Sequence, residues 1–120
     1  MTDTQISYYH KMKERNRLFR ISLDNKVKGL ITFYIGSWSE KYVRDNPWEV
    51  MNDEPETGTV CFVDHLLVPN KEKENPRYSF TIWNMLKNYI HKNYPKVRLI
   101  RWNRLNKQGE SNAHYYFFTK

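Results

Sequence analysis

The sequence predicts an α/β (α+β) fold, with a mixed, mainly antiparallel central sheet and flanking helices. Three observations carry that prediction. Residues 17–23 alternate loosely and residues 27–35 are rich in β-branched and aromatic residues, and the two lie either side of Asp24-Asn25-Lys26, which is the pattern of a hairpin. Residues 59–68 are almost continuously apolar, as in a strand covered on both faces. Between that run and the next β-rich segment, 97–104, lies an amphipathic helical stretch, and a strand–helix–strand connection makes neighbouring strands parallel.

Each element has its own signals. Over residues 4–15, Ile6, Tyr9, His10 and Lys13 recur at helical spacing, and Thr2, Asp3 and Thr4 are available as caps. Residues 36–58 hold Pro47, Pro55 and an acidic cluster with no sustained period, so they read as a long connection with room for a helical turn around Trp48 and Met51. The apolar run 59–68 is the candidate for the middle of the sheet. Asn75 is an N-cap type and Pro76 suits the first helical position. Phe80, Ile82, Trp83, Leu86, Tyr89 and Ile90 then mark one side of a helix that stops before Pro95. A strand over 97–104, a turn at 106–109 and a last strand over 114–119 complete the order α-β-β-loop-β-α-β-β. At 120 residues, positions 1–120 are expected to form one domain.

Composition narrows the function classes. The chain is 39% hydrophobic and 16% aromatic, too rich in core-forming residues for intrinsic disorder, while a mean hydropathy of −0.87 makes its surface very polar. A single cysteine, Cys61, excludes an internal disulfide framework and any multi-cysteine zinc site. No apolar run approaches the roughly 20 residues that cross a bilayer, and the N-terminus lacks the apolar segment of a signal peptide, so a cytoplasmic protein without a membrane partner is expected. Acids and bases balance over residues 1–77. The whole net charge of +7 comes from Lys87, Lys92, Lys96, Arg98, Arg101, Arg104, Lys107 and Lys120 against Glu110 alone. Residues 40–58 are acidic in contrast, and such a dipolar surface steers anionic and cationic partners to different sides.

Several residues carry chemistry. Asp64 is a carboxylate inside an apolar strand, on the face of Phe62 and Leu66 in an ideal strand, and burying a charge is costly unless it is paired. It either orients an imidazole or accepts a proton, or is a hydrogen-bonded structural acid. His65 points the other way in an ideal strand. Ser7 and His10, three apart on the first helix, share a face, and histidine suits the removal of a proton from an attacking amine or hydroxyl. They also read as a polar helix face. Cys61, with no flanking base, reads as an inert core thiol. Neither a Gly-x-Gly-x-x-Gly nor a P-loop motif occurs, and the four histidines show no ligand spacing with carboxylates, so no metal is predicted. In a sheet of this kind a ligand lies where neighbouring strands splay beyond their C-terminal ends, near Val68, Pro69 and residues 75–79.

This order of elements resembles the GCN5-related N-acetyltransferase fold, whose central strand ends beside a loop and helix N-terminus that hold the pyrophosphate of coenzyme A. The resemblance makes Val68, Arg77, Tyr78 and Ser79 the matching donor-binding positions, although residues 68–79 contain no glycine and carry Glu72 and Glu74. A narrower pattern is similar to the RTX toxin-activating lysine acyltransferases, which draw their acyl group from acyl carrier protein. It comprises Ser7-x-x-His10, Trp38-Ser39-Glu40, Trp48, Cys61-Phe62-Val63-Asp64, Pro69, Lys92-Asn93-Tyr94-Pro95 and the arginine-rich strand 98–104. The resemblance implies catalytic roles for His10 and Asp64.

Two functions follow as expectations. In the first, an acyltransferase takes its acyl group from acyl-CoA or acyl carrier protein. His10 deprotonates a lysine or other amine with Ser7 beside it, Asp64 holds the imidazole, and a backbone amide near the end of the central strand steadies the oxyanion. In the second, a phage- or mobile-element-encoded binding protein, monomeric or homodimeric, uses Arg98, Arg101, Trp102 and Arg104 on nucleic acid or an acidic host protein. Alternatively, Trp102 packs under a neighbouring helix while the arginines reach water.

Overall fold

The computed structural model describes residues 2–23, 25–36, 48–50, 58–67, 76–105 and 111–118, of which 23, 76–79, 103–105 and 111–113 are described by their backbone alone. The elements in chain order are α1 (Asp3–Glu14), β1 (Leu18–Leu23), β2 (Lys26–Gly36), β3 (Val60–Leu67), α2 (Pro76–Asn93), β4 (Leu99–Leu105) and β5 (Ser111–Phe117). The five strands lie side by side in sequence order, with β3 central. Every neighbouring pair is antiparallel except β3–β4, the pair joined through α2. This is the mixed, mainly antiparallel sheet expected from the sequence.

Local chemistry sets the ends of α1. The Gln5 N–H donates to Thr2 Oγ1 at 3.2 Å and the Thr2 N–H donates to Gln5 Oε1 at 3.0 Å, a reciprocal box that satisfies two orphan donors. At the other end Asn16 adopts φ 60°, which lets its N–H reach the Lys13 carbonyl at 3.1 Å and the Arg17 N–H reach that of Met12 at 2.9 Å. The Arg17 guanidinium donates to Tyr94 Oη at 3.0 Å and the Tyr94 O–H donates to the Asn16 carbonyl at 3.1 Å, tying this corner to the residue after α2. Asn25, at φ 64°, supplies the left-handed residue of the β1–β2 turn.

The helices cover opposite faces of the sheet. Ile82, Leu86 and Ile90 of α2 pack on Ile21, Ile31, Phe33, Ile35, Cys61 and Ile100. Tyr8, Tyr9 and Met12 of α1 pack on Tyr34, Val60, Phe62 and Leu99. The inward side of α1 is thus set by Tyr8, Tyr9 and Met12, and Ile6, which the spacing marked as part of the apolar stripe, is 42% exposed. In β3 residues 60–62 are buried on both faces, but Leu66 and Leu67 are exposed, so the two-sided cover ends halfway along the strand. The last strand begins at Ser111, three residues before the expected His114, because its ladder with β4 runs out to Leu105↔Ser111. Pairing overrides the weak strand propensity of Ser111-Asn112-Ala113.

A close approach links the ends of the connection between β2 and β3. Gly58 is buried, and a Cβ there would fall 2.2 Å from the Gly36 carbonyl oxygen and 2.4 Å from its nitrogen. Among the described residues no helix is long and apolar enough to cross a membrane.

Candidate active site

The β2–β3 register slips once. Thr32 pairs with His65 and Phe33 with Val63, so Asp64 is the extra residue of a β-bulge in the central strand. The slip changes where two side chains point. Directly paired residues of an antiparallel ladder share a face, and Thr32 lies between Leu30 and Tyr34 on the α1 side, so His65 joins that side. Asp64 reaches it too. The expectation that His65 turns away from Asp64 is therefore corrected, since the bulge cancels one step of the alternation.

What holds Asp64 is a short polar chain. The Tyr8 O–H donates to Asp64 Oδ2, and Thr32 Oγ1 lies 2.7 Å from Tyr8 Oη. An ionised carboxylate only accepts, so Tyr8 spends its one proton there and the Thr32 hydroxyl supplies the proton of the second bond. Thr32 Oγ1 in turn accepts the His65 backbone N–H at 3.1 Å. Asp64 is 12% exposed and His65 20%, with His65 Nε2 3.8 Å from Asp64 Oδ2. Burial, reinforced by the Asp64 charge, raises the Tyr8 hydroxyl far above the ordinary tyrosine range and keeps it a donor.

Aromatic packing fixes the imidazole. The His65 ring stacks on Trp48 with centroids 4.0 Å apart and planes 4° apart, and meets the Tyr8 ring edge-on at 5.2 Å. Trp48 also contacts Tyr8 and Tyr9. On the outer side of this layer an open cavity of about 720 Å³ is lined by Thr4, Ser7, Tyr8, Lys11, Arg15 and Trp48, among others.

The sheet opens beside these residues. The parallel β3–β4 ladder has three pairs, Val60↔Leu99, Cys61↔Ile100 and Phe62↔Arg101, and beyond them β3 continues with β2 and β4 with β5. Asp64 and His65 are the second and third residues of β3 past the last of these pairs. Arg101 stands at the mouth of the seam, its guanidinium 5.5 Å from the Phe62 ring centre and 5.6 Å from that of Tyr115. Its Nε is buried and has no hydrogen-bond partner among the described residues.

The residues singled out in the sequence fall in different places. Ser7 lies on the exposed side of α1 and lines the cavity beside Tyr8. His10 is exposed and two residues from Tyr8, about 200° round the helix, so α1 presents Tyr8 rather than His10 to Asp64. The expected His10–Asp64 pairing is corrected on that ground. Cys61 is fully buried in the α2-side core. Val68, with the rest of 68–75, lies outside the described residues, as do the side chains of Arg77, Tyr78, Ser79 and Arg104. Arg98 is exposed. Trp102 is half-buried against Trp83 of α2, with centroids 4.6 Å apart, and against His114 at 5.7 Å, so it packs under the helix instead of presenting a ring to bases. Sequence reasoning missed Tyr8, Thr32 and His65 as site residues. The usable signal for Tyr8 was its i, i+4 pairing with Met12; none existed for the bulge.

No family model and no curated protein matches this chain. Solved structures do resemble it, among them the following two. One, described as the GphF GNAT-like decarboxylase in complex with isobutyryl-CoA, shares 9% identity at a TM-score of 0.57 over 89% of this chain and 54% of its own. The other, the loading GNATL domain of CurA from Lyngbya majuscula, shares 16% identity at a TM-score of 0.54 over 90% of this chain and 53% of its own. The chain spans about half the length of either. At such identities the likeness is one of architecture, and the α1-β1-β2-β3-α2-β4-β5 order with its open β3–β4 seam is a GNAT-like fold.

Proposed function

We propose that this protein transfers an acyl group from a phosphopantetheine thioester, borne by coenzyme A or by an acyl carrier protein, to an amine such as a lysine side chain. The observation that carries the reading is the bulge that sets Asp64 and His65 beside the open β3–β4 seam, in a fold whose structural neighbours include one complexed with isobutyryl-CoA. The pantetheine arm enters the seam, where its amides pair with strand edges that no longer pair with each other. His65 takes the proton of the attacking amine as nitrogen bonds to the thioester carbonyl. A β3 backbone amide at the seam receives the oxyanion. The tetrahedral adduct then collapses, the C–S bond breaks, and the thiolate leaves with the proton held by the imidazolium. Asp64, fixed by the Tyr8 hydroxyl, stabilises that imidazolium at 3.8 Å. The pattern shared with the toxin-activating lysine acyltransferases agrees in using Asp64, while the base becomes His65 in place of His10.

The test is thiol release from acetyl-CoA, isobutyryl-CoA and an acylated carrier protein in the presence of a lysine peptide, with mass spectrometry of the acceptor. Thiol release matched by an acyl mass gain supports the reading, and the preferred donor separates coenzyme A from carrier protein. Absence of both signals with every donor overturns it.

A further inference from the structure

A second surface lies on the edge strand β5. Tyr115 and Phe117 are two apart on the edge strand β5, paired with Arg101 and Leu99 and therefore on the α1 side of the sheet. Their rings are 6.5 Å apart with planes 24° apart, and they are 47% and 57% exposed. Cations flank the pair at both ends. The Arg101 guanidinium lies 5.6 Å from the Tyr115 ring centre. Phe117 borders a cavity of about 580 Å³ whose lining includes His91, Lys96 and Arg98 and, among the described residues, no acidic side chain. All of this belongs to the segment that carries the entire +7 net charge.

We infer that this strip, Tyr115 and Phe117 with Arg101, Arg98 and Lys96, binds single-stranded nucleic acid, a role beyond acyl transfer. Each exposed ring offers a face to one unstacked base and the cations track the phosphates on either side, the two components of sequence-tolerant single-strand recognition. The aromatic pair decides the partner. An acidic protein would use the cations and leave the rings idle, and in a duplex the base faces are already stacked. A second copy of the chain would oppose like charges across a two-fold axis.

The experiment is fluorescence anisotropy of the full chain with labelled oligo(dT) and oligo(rU) of about ten nucleotides and with a duplex of equal length. Single strands are expected to bind at about 50 mM salt, more tightly than the duplex. Three phosphate contacts weaken that binding about 20-fold on going to about 200 mM salt. Tyr115→Ala and Phe117→Ala each weaken it at least about 5-fold at unchanged thermal midpoint, and Tyr115→Phe retains it. Preference between the two oligonucleotides tells DNA from RNA. Three results overturn the inference: no single-strand binding at the lower salt; duplex binding of equal strength indifferent to both alanine variants; or a homodimer that both alanine variants dissociate.

Discussion

The hydroxyl of Tyr8 on α1 donates to the carboxylate of Asp64 on β3, joining residues 56 positions apart. That bond connects the amino-terminal helix to the bulge of the central strand, so it belongs to stability as well as to chemistry. Tyr8→Phe keeps the ring contacts with Tyr9, Trp48 and His65 and removes only the oxygen. It is expected to cost about 1.5–3 kcal/mol in denaturant unfolding, the range for a hydrogen bond to a charged group. A loss below about 0.5 kcal/mol would mean that water replaces the hydroxyl at no cost.

Alkaline conditions probe the same residues with a definite sign. Burial, with the Asp64 charge adding to it, raises the hydroxyls of Tyr8 and Tyr9, and burial raises that of Tyr94 despite the opposing Arg17 charge. In the unfolded chain a tyrosine releases its proton near pH 10. Below that pH both states hold these protons and the stabilisation is complete. Above it the unfolded state sheds them first, and stability falls as pH rises, by up to about 1.4 kcal/mol per pH unit for each tyrosine still protonated in the fold. Unfolding free energy measured from pH 8 to 11 should bend downward near pH 10, and the bend should weaken in Tyr8→Phe.

For catalysis, the two histidines separate cleanly. His65→Gln is expected to lower kcat for acyl transfer by about 10²–10⁴-fold with the fold intact, whereas His10→Ala, on the exposed side of α1, leaves it within about 2-fold. The reverse outcome in steady-state kinetics would return the base to His10.

Gly58→Ala is expected to destabilise the protein by about 1–3 kcal/mol or more, because the new methyl group meets the backbone of Gly36, which cannot move aside as a side-chain tip can. Thermal unfolding measures the loss. An unchanged midpoint would show that the two chain segments can separate freely.

Much of this architecture was readable from residue pattern. The hairpin around Asn25, the central position of β3 and the crossover helix begun by Pro76 all follow from composition and period within short windows. The site was less readable. Asp64 stood out as a charge in an apolar strand, but the partner read for it, His10, is not the one that α1 supplies. Whether Tyr8 or His10 meets it depends on the rotation of α1 about its axis, which Tyr8 and Met12 set by burial against Tyr34, Val60 and Phe62. Whether His65 joins it depends on a one-residue slip between β2 and β3, a property of the pairing that neither strand's own sequence displays. Trp48 lay in a stretch without periodicity, and its stacking on His65 is purely tertiary.

The three-pair ladder between β3 and β4 gives the sheet a mechanical grain. On one side stands the β1–β2–β3 meander and on the other the β4–β5 hairpin, each made of longer antiparallel pairings than the strip that joins them. Few backbone bonds join the strands there, so amide protection at the three β3–β4 pairs is expected to be lower than within either antiparallel half. A long flexible arm can thus be admitted where the strands already diverge past Phe62 and Arg101, while the two cores that span the seam, one through Cys61 and Ile100 and the other through Val60 and Leu99, stay packed.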